Sequence, residues 1–539
     1  MNQFALFYKR IICQRQFYLP VLFFTIIGYS FSIYNRTVSI DGLMGEYTVG
    51  SKGTGMLSGR WGMVVWCRIL GIMGLDPFVD RFLALVFLTI AALLFCYILY
   101  LDKAVTCTLP YSITASIFVT YPLINEIWEY VGADYMVGGN LCLVTMAAIT
   151  IKTAINNTLY FKRLLIASIF LLLPMSSYET AIFYYIALVE IILFYEYINK
   201  SEVQFHFSTW LKRNVFYFVP VIIAFFARFL ISYVINSVYN LQYNGGGDTS
   251  IVWLGYDFLP TLKGMMLSNT IHYSIYGLVY FPIAVFAVSL LFFSVYILFV
   301  KNCNKFVSMF LGMIIVISLF SQAILQGDLL HYRHAQTIML FVAFSAFLLC
   351  SIIKHNWQKS VYIIMFGLCW HQAVYLNRIL GLNNLRSDNE LTIVRELGMR
   401  IMSEYDKKPV VFVGERPTLG NWINGQVSFD KNTWNGRLLY SILDRLAGGH
   451  DDHEMPIKYV DTNVNSVMPE YLQLQNLFAY CGYDIEVIPD YMSQKFDKDV
   501  EKIRYQANMV AEEKRVGSYQ IYDNGDYLIV SLGGNPCYK

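Results

Sequence analysis

Long apolar runs dominate this chain of 539 residues. A bilayer core about 30 Å thick needs roughly 20 apolar residues for one helix. Windows that meet or approach this length fall near residues 17–35, 82–101, 111–128, 136–154, 164–177, 180–198, 215–236, 279–300, 306–325, 337–353 and 361–377. A marginal window near 251–267 leaves a further helix open. The sequence therefore predicts an α-helical polytopic membrane protein with about 11 transmembrane helices.

The composition excludes several classes of function. Hydrophobic residues make up 56% of the chain and charged residues only 14%, whereas roughly a quarter of a soluble domain is charged. The net charge is +2, and the chain has no GxxxxGK[ST] loop, no GxGxxG after a strand and no zinc-type Cys/His cluster. We therefore expect no nucleic-acid partner and no nucleotide-driven chemistry.

Basic residues in the short connections predict the orientation, because Lys and Arg are retained on the cytoplasmic side. The N-terminal segment has no signal-peptidase site before the first polar loop, so it is interpreted as an uncleaved first span. With the N-terminus inside, the inner connections carry Lys9, Arg10, Arg15, Lys103, Lys152, Lys162, Arg163, Lys200, Lys212, Arg213, Lys301, Lys305, Lys354 and Lys359. The sequence thus predicts a multi-pass protein of the cytoplasmic (inner) membrane, with its C-terminal part extracytoplasmic.

The composition changes at Asn383, after which charges occur throughout. Residues 386–406 have helical apolar spacing, while 409–414 and 484–490 are typical of buried strands. Residues 516–532 predict a hairpin with an Asn-Gly turn. We therefore expect a transmembrane domain over 1–382 and a small C-terminal α/β extracytoplasmic domain over 383–539.

The loop IDGLMGEYTVGSKGTGMLSGRW, residues 40–61, is polar and lies between two apolar segments. It carries Asp41 and Glu46 and closes on Arg60. Asp41 follows the first span directly, which places it near the outer membrane interface. The next residues, MVVWCRILGIMG, suggest a helix lying along that interface. A solvated loop would explain these charges as well. Charges at the outer ends of the other predicted spans help to distinguish a functional site from such a loop.

Ionisable groups recur at matching depth on the predicted outer side. They are Glu126, Glu129 and Asp134, then Tyr178 and Glu179, then Asp328, His331, Arg333 and His334. Arg228 lies inside the seventh span, where a charge is costly and usually faces a cavity or a partner. Two readings of Arg228 stay open, a structural ion pair with a carboxylate from another helix and a phosphate-binding role.

Acidic and cationic groups that converge at an outward-facing site suit one chemistry. A carboxylate can take the proton of an acceptor hydroxyl, while Arg or His neutralises a departing phosphate. This is the chemistry of glycosyl transfer from a polyprenyl-phosphate sugar. The cluster GHDDHE near residues 450–454 has spacing that suits one tetrahedral ion poorly, so no metal site is assigned.

The architecture and the loop resemble the GtrII-type bacterial membrane glucosyltransferases of the GT-C class over roughly the first 380 residues. The residues that carry the resemblance are Asp41, the pair Gly59 and Arg60, the pair Tyr178 and Glu179, and Arg333. The sequence departs from the family pattern at Gly42, where a second acidic residue is expected, and at Glu179, where Gln is expected. The resemblance implies a donor such as undecaprenyl-phosphate glucose and an acceptor such as O-antigen or another surface polysaccharide.

The predicted reaction is a direct displacement with inversion. Asp41 is the expected general base and Glu46 the second candidate, while Glu126, Glu129 and Asp134 are further acidic candidates. Arg60, with Arg333 or His334, would hold the phosphate, and Tyr178, Glu179 and Arg228 complete the substrate-binding set. The residues leave open whether a divalent cation also bridges the phosphate. The alternatives are a transporter or flippase of lipid-linked glycans, a glycan polymerase and a non-catalytic scaffold.

Overall fold

The computed structural model describes residues 3–35, 60–71, 77–102, 107–123, 134–154, 160–199, 207–239, 257–278, 280–299, 304–353, 355–405, 407–413, 437–438, 441–442, 471–487, 520–523, 525 and 527–531. These residues fall into two compact units. The first contains the described residues up to Ile379 except Asn35, and the second contains Asn35 and the described residues from Leu380 onwards. The predicted functional domains 1–382 and 383–539 stay a prediction.

The first unit consists of helices, the last of which continues into the second unit. In chain order they are α1 (Gln3–Phe7), α2 (Arg15–Tyr34), α3 (Trp61–Leu70), α4 (Pro77–Asp102), α5 (Leu109–Thr120), α6 (Asp134–Ala154), α7 (Tyr160–Ser177), α8 (Thr180–Asn199), α9 (Phe207–Tyr239), α10 (Phe258–Tyr273), α11 (Phe281–Phe299), α12 (Lys305–Leu319), α13 (Ser321–Gln326), α14 (Gln336–Ile352) and α15 (His355–Glu404). A π-helical turn (Tyr8–Ile12) and two 3₁₀ turns (Ile275–Leu278 and Tyr332–His334) join them.

Six helices of the described residues are long and apolar enough to cross a membrane. They are Arg15–Tyr34, Phe78–Asp102, Met136–Ala154, Thr180–Asn199, Asn214–Tyr239 and Phe281–Phe299. Each of the eleven predicted windows includes helical residues among those described, but several of these helices are short. Helix α5, for example, has 12 residues and is about 18 Å long, less than the thickness of a bilayer core. The count of eleven spans therefore stays a prediction.

The core of the first unit lies around α5 and α14. Residues 110–120 of α5 are all buried, and α5 packs against α2, α4 and α14. Its buried hydroxyls at Thr114 and Thr120 donate to carbonyls one turn earlier in the same helix. By contrast, only 17% of the Asn214–Tyr239 window of α9 is buried, and Phe226, Phe229 and Tyr233 are exposed. An apolar face of this size is typical of contact with lipid.

A buried ion pair marks one end of the helix bundle. Lys152 Nζ, near the end of α6, donates to Asp102 Oδ1, at the end of α4, at 2.6 Å. Beside it, Arg163 in the first turn of α7 donates to the Thr153 carbonyl oxygen at 2.5 Å. All these residues belong to connections that the sequence predicts to be cytoplasmic. Helix α7 has 18 residues, so its opposite end at Ser177 lies about 27 Å from its start at Tyr160.

The second unit is built around a three-stranded sheet. Strands β1 (Val410–Val413), β2 (Gln520–Asp523) and β3 (Leu528–Ser531) lie in the order β1-β3-β2, with β1 parallel and β2 antiparallel to β3. The C-terminal part of α15 and helix α16 (Tyr471–Tyr480) cover the sheet. They share a core formed by Leu391, Val394, Leu397, Ile401, Val410, Leu477, Phe478, Ile485, Val487, Leu528 and Val530.

Several local expectations for this unit are confirmed. Helix α15 runs to Glu404, β1 falls within 409–414, and the hairpin of β2 and β3 turns through Gly525 at a φ of 89°. Glycine suits this left-handed conformation because it has no Cβ. In the strand expected at 484–490, Val487 forms a single parallel bridge to Val410, and residues 488–490 lie outside the described residues.

Candidate active site

Three charged side chains from distant parts of the sequence meet in the first unit. Glu179 lies between α7 and α8, Arg60 directly precedes α3, and Arg228 lies in α9. Arg60 Nε donates to Glu179 Oε2 at 3.2 Å, and Arg228 Nη2 donates to Glu179 Oε1 at 2.8 Å. The side chains are 24%, 29% and 19% exposed for Arg60, Glu179 and Arg228. One carboxylate is thus shared by two guanidinium groups that remain partly exposed.

The turn between α7 and α8 fixes the backbone of Tyr178 and Glu179. The Tyr178 amide donates to the Pro174 carbonyl at 2.9 Å, and the Ala181 and Ile182 amides donate to the carbonyls of Tyr178 and Glu179 at 3.2 Å each. Glu179 therefore directly precedes the N-terminus of α8. The partial positive charge of a helix N-terminus favours a carboxylate at this position.

Helix α3 holds Arg60 in place because Gly62 allows it to approach α7 closely. A Cβ at Gly62 would lie 2.5 Å from Ser176 Oγ and 2.8 Å from the Leu173 carbonyl oxygen, and it would also overlap Ser177 Oγ. Only glycine permits this contact without a shift of the neighbours. Since Ser177 ends α7, the same contact brings Arg60 close to Glu179, two residues further on.

The other side of α3 is fixed by Trp66, which is buried against α6. Its ring covers Gly139, where a Cβ would lie 2.6 Å from Trp66 Cη2. Trp66 Nε1 donates to Asn140 Oδ1 at 3.0 Å. Helix α3 is thus held against both α6 and α7, and its last turn ends at Gly71, which has a φ of 71°. A helix after the polar loop is confirmed, and its position along the membrane interface stays a prediction.

Tyr178 extends the charged cluster towards His334. The guanidinium carbon of Arg60 lies 5.5 Å from the centroid of the Tyr178 ring, which is a cation–π geometry. Tyr178 Oη and His334 Nδ1 share a hydrogen bond of 3.2 Å, and the two rings stack with centroids 5.6 Å apart. His334 ends the 3₁₀ turn that precedes α14. The Tyr178 ring therefore contacts a cation and an imidazole at once.

The electrostatics of this cluster favour binding of an anion. Two guanidinium groups and one carboxylate leave an excess of one positive charge, which His334 would increase when protonated. Arginine presents a planar fork of donors that matches a phosphate or carboxylate. Within the described residues, Glu179 uses one oxygen for each arginine, and both guanidinium groups are partly exposed.

The structure brings together five of the residues predicted for the site. These are Arg60, Tyr178, Glu179, Arg228 and His334. Arg333 lies in the 3₁₀ turn beside His334, and Asp134 begins α6, but their side chains are outside the described residues. Asp41, Glu46, Glu126 and Glu129 lie outside the described residues altogether. Of the two readings of Arg228, the ion pair is observed, and phosphate binding stays a prediction.

Sequence reasoning missed three residues that contact the elements around the cluster, Gly62, Trp66 and His272. His272, in α10, shares a hydrogen bond of 3.3 Å with Tyr332 Oη, next to the 3₁₀ turn of His334. Burial, and secondarily the nearby His331, lower the pKa of His272 to about 4. The SGRWG pattern at residues 58–62 could have indicated Gly62, since a glycine two residues after a site arginine suggests close packing. Nothing in the local sequence points to Trp66 or His272.

The described residues contain no group of three or more His, Cys, Asp or Glu side chains that could hold a metal ion. The acidic and histidine cluster of residues 450–454 lies outside the described residues.

The fold and the site define a class, a helical membrane protein with a partly exposed site of arginine and carboxylate groups. The sequence model of the family described as glucosyl transferase GtrII matches residues 30–350, which is more than half of the chain and includes the whole cluster. The chain therefore belongs to the glucosyl transferase GtrII family. It is a membrane glycosyltransferase, so the resemblance is confirmed, and the transporter and scaffold alternatives are not supported.

Among solved structures, the chain is similar to the archaeal oligosaccharyltransferase AglB from Archaeoglobus fulgidus in complex with an inhibitory peptide and a dolichol-phosphate. The identity is 10%, the match covers 96% of this chain and 75% of that chain, and the TM-score is 0.33. A superposition at this score supports no comparison of individual residues. No curated protein sequence is significantly similar to the chain.

Proposed function

We propose that the protein transfers a hexose, glucose in the first instance, from a polyprenyl-phosphate donor to a glycan of the cell envelope. The acceptor would be O-antigen or another surface polysaccharide, reached at the outer face of the cytoplasmic membrane. The observation that carries this proposal is the convergence of Arg60 and Arg228 on one partly exposed carboxylate. A glucosyltransferase with such a cluster and no nucleotide-binding motif suits a lipid-linked phosphate donor.

The two arginines would bind the donor phosphate through the N–H groups that Glu179 does not use. Glu179 would act on them indirectly, because a carboxylate repels a phosphate but orients the guanidinium groups beside it. His334 and Arg333 are the further cations available, since both belong to the turn that reaches Tyr178. Tyr178 would contribute a hydroxyl and an aromatic face for the sugar.

The general base would come from the loop of residues 40–61. Its end is tied to the cluster, because Arg60 closes the loop and pairs with Glu179 at 3.2 Å. Its start follows α2, which ends at Tyr34, seven residues before Asp41 in the sequence. Asp41 is our first candidate and Glu46 our second.

The transfer step follows from these roles. The acceptor oxygen forms a bond to the anomeric carbon while the bond from that carbon to the phosphate oxygen breaks. The proton of the acceptor hydroxyl moves to Asp41, and the extra negative charge on the polyprenyl phosphate is neutralised by Arg60 and Arg228. Attack opposite to the leaving group inverts the configuration at the anomeric carbon.

The orientation that we propose places the cluster outside and the Asp102–Lys152 pair inside. Arg163 lies in the first turn of α7 and Glu179 follows its end, so the two are about 24 Å apart along the helix axis, which approaches the thickness of a bilayer core. The proposed architecture is GT-C-like, with about eleven spans. The part of the chain from 383 to 539 would be a small extracytoplasmic α/β domain.

Incubation of the purified protein with radiolabelled polyprenyl-phosphate glucose and an envelope-glycan acceptor tests this function. The native protein and Glu46→Gln should transfer glucose, while Asp41→Asn should lose transfer by about 100-fold or more because a positioned base contributes 10²–10⁴-fold. Asp257→Asn is the matched control, since Asp257 precedes α10 and its side chain makes no capping bond.

The outcomes separate the parts of the proposal. No consumption of the labelled donor by native protein would refute the donor class. Transfer that persists in both Asp41→Asn and Glu46→Gln would exclude this loop as the source of the base and favour Glu126, Glu129 or Asp134.

A further inference from the structure

Helix α10, which the proposed function leaves without a role, binds the backbone of the segment 328–330. Asn269 Nδ2 donates to the Asp328 carbonyl at 3.2 Å, and the Leu330 amide donates to Asn269 Oδ1 at 3.0 Å. One amide side chain thus bonds to the backbone on both sides of Leu329. Its Nδ2 also donates to the Met265 carbonyl within α10 at 2.8 Å, which fixes the rotamer of Asn269.

The next turn of α10 strengthens this contact. Tyr273 Oη donates to the Leu330 carbonyl at 2.5 Å, and both residues are buried. Together with Asn269, Tyr273 satisfies both backbone groups of Leu330. His272 shares its hydrogen bond with Tyr332 Oη two residues further on. The segment that leads to His334 is therefore held by three residues of one helix.

The held segment continues directly into the functional cluster. It enters the 3₁₀ turn Tyr332–His334, in which the His334 amide donates to the His331 carbonyl at 2.9 Å. His334 then contacts Tyr178 by a hydrogen bond and by stacking, and Tyr178 lies under the guanidinium group of Arg60. A continuous series of contacts thus joins α10 to the arginine that we propose as a phosphate ligand.

We infer that Asn269 is a positioning residue that sets the placement of His334 against Tyr178, and through them the geometry of the arginine cluster. Its role in the reaction rests on the proposed function, but the placement of His334 does not. Asn269 is better suited to a test than Tyr273, because it is only half-buried and its loss leaves the aromatic packing of α10 intact.

The placement of His334 can be read directly from its ring signals. Protein labelled with ¹³C in its 8 histidines is measured by NMR in detergent, and His334→Gln assigns the His334 signal. In Asn269→Ala, the ring-current shift imposed by Tyr178 should decrease, so the signal moves towards that of a free histidine. Asn199→Ala is the matched control. Asn199 also donates to a carbonyl one turn earlier at 2.9 Å, but it lies at the other end of α8, about 30 Å from Glu179.

Activity provides the second readout. Loss of the two bonds from Asn269 to the segment should lower kcat/KM for the labelled donor about tenfold, and Asn199→Ala should leave it unchanged. If Asn269 acts through His334, Asn269→Ala should cause little further loss in a His334→Gln background. A residue with a general structural role would instead give additive losses.

Each result decides a different claim. A His334 signal that is the same in native protein and in Asn269→Ala would overturn the inference, whatever the activity. A shifted signal with full activity would overturn the role of Asn269 in the reaction. A shifted signal in a protein that consumes no labelled donor would support the placement of His334 by Asn269 and refute the proposed donor.

Discussion

Replacement of Gly62 by alanine perturbs the position of Arg60 without touching its charge. The added Cβ would start 2.8 Å from the Leu173 carbonyl oxygen, whereas ordinary contacts begin at 3.4 Å, so α3 must retreat by about 0.6 Å. A retreat of this size lengthens the 3.2 Å contact between Arg60 Nε and Glu179 Oε2 to about 3.8 Å, beyond hydrogen-bond distance. Overpacking of this kind costs about 1–3 kcal/mol.

The expected result is a loss of about 10- to 100-fold in kcat/KM for the labelled donor, since a misplacement of 1 Å can cost 10²-fold. Gly367→Ala is the matched control, because a Cβ at Gly367 in α15 meets no atom within 4 Å. Thermal unfolding of both variants separates misfolding from misplacement. Equal kcat/KM in Gly62→Ala and Gly367→Ala would refute the reasoning that close packing of α3 sets the position of Arg60.

Three further changes probe other contacts. Arg228→Lys keeps the charge but loses the planar fork, so KM for the donor should rise about tenfold with a smaller change in kcat; unchanged kinetics would argue against a phosphate contact. Trp66→Phe removes the 3.0 Å bond to Asn140 and should lower the free energy of unfolding by about 1–2 kcal/mol in denaturant titrations. The Lys408 ammonium lowers the pKa of Asp523, so this bridge stabilises the fold above the unfolded-state pKa and the stability is lost as the pH falls through the folded-state pKa. The difference in Tm between native protein and Asp523→Asn should therefore shrink as the pH falls from about 6 to 3, and a constant difference would contradict this assignment.

Hydrophobic patterning predicted the helices of the first unit well. A segment that crosses a bilayer must bond its backbone internally and carry apolar side chains, so a long apolar run indicates a helix. It also predicted that Arg228 needs a partner, since an intramembrane charge is costly. The identity of that partner could not be predicted. Glu179 is 49 residues away in sequence, and other carboxylates stood at the same predicted depth. Tertiary packing alone selects among them.

The position of Arg60 could not be predicted from the sequence either. Its partner Glu179 is 119 residues away, and the contact depends on the absence of a side chain at Gly62. The lengths of some helices were also predicted poorly. Apolar residues around 111–128 predicted a full span, yet the helix there ends at Thr120. Composition reports that a segment is buried, but it does not distinguish burial among helices from burial in lipid.

Binding of polyprenyl phosphate, the donor lipid without its sugar, tests the central claim most directly. The Kd is measured for protein in lipid nanodiscs, comparing native protein with Arg60→Gln and Arg228→Gln. Arg163→Gln is the control, because Arg163 bonds to Thr153 at the opposite end of the bundle. Loss of a charge-assisted bond to the phosphate should raise Kd about tenfold or more in each cluster variant and leave it unchanged in the control. Equal Kd values in all four proteins would contradict the assignment of Arg60 and Arg228 as the phosphate site.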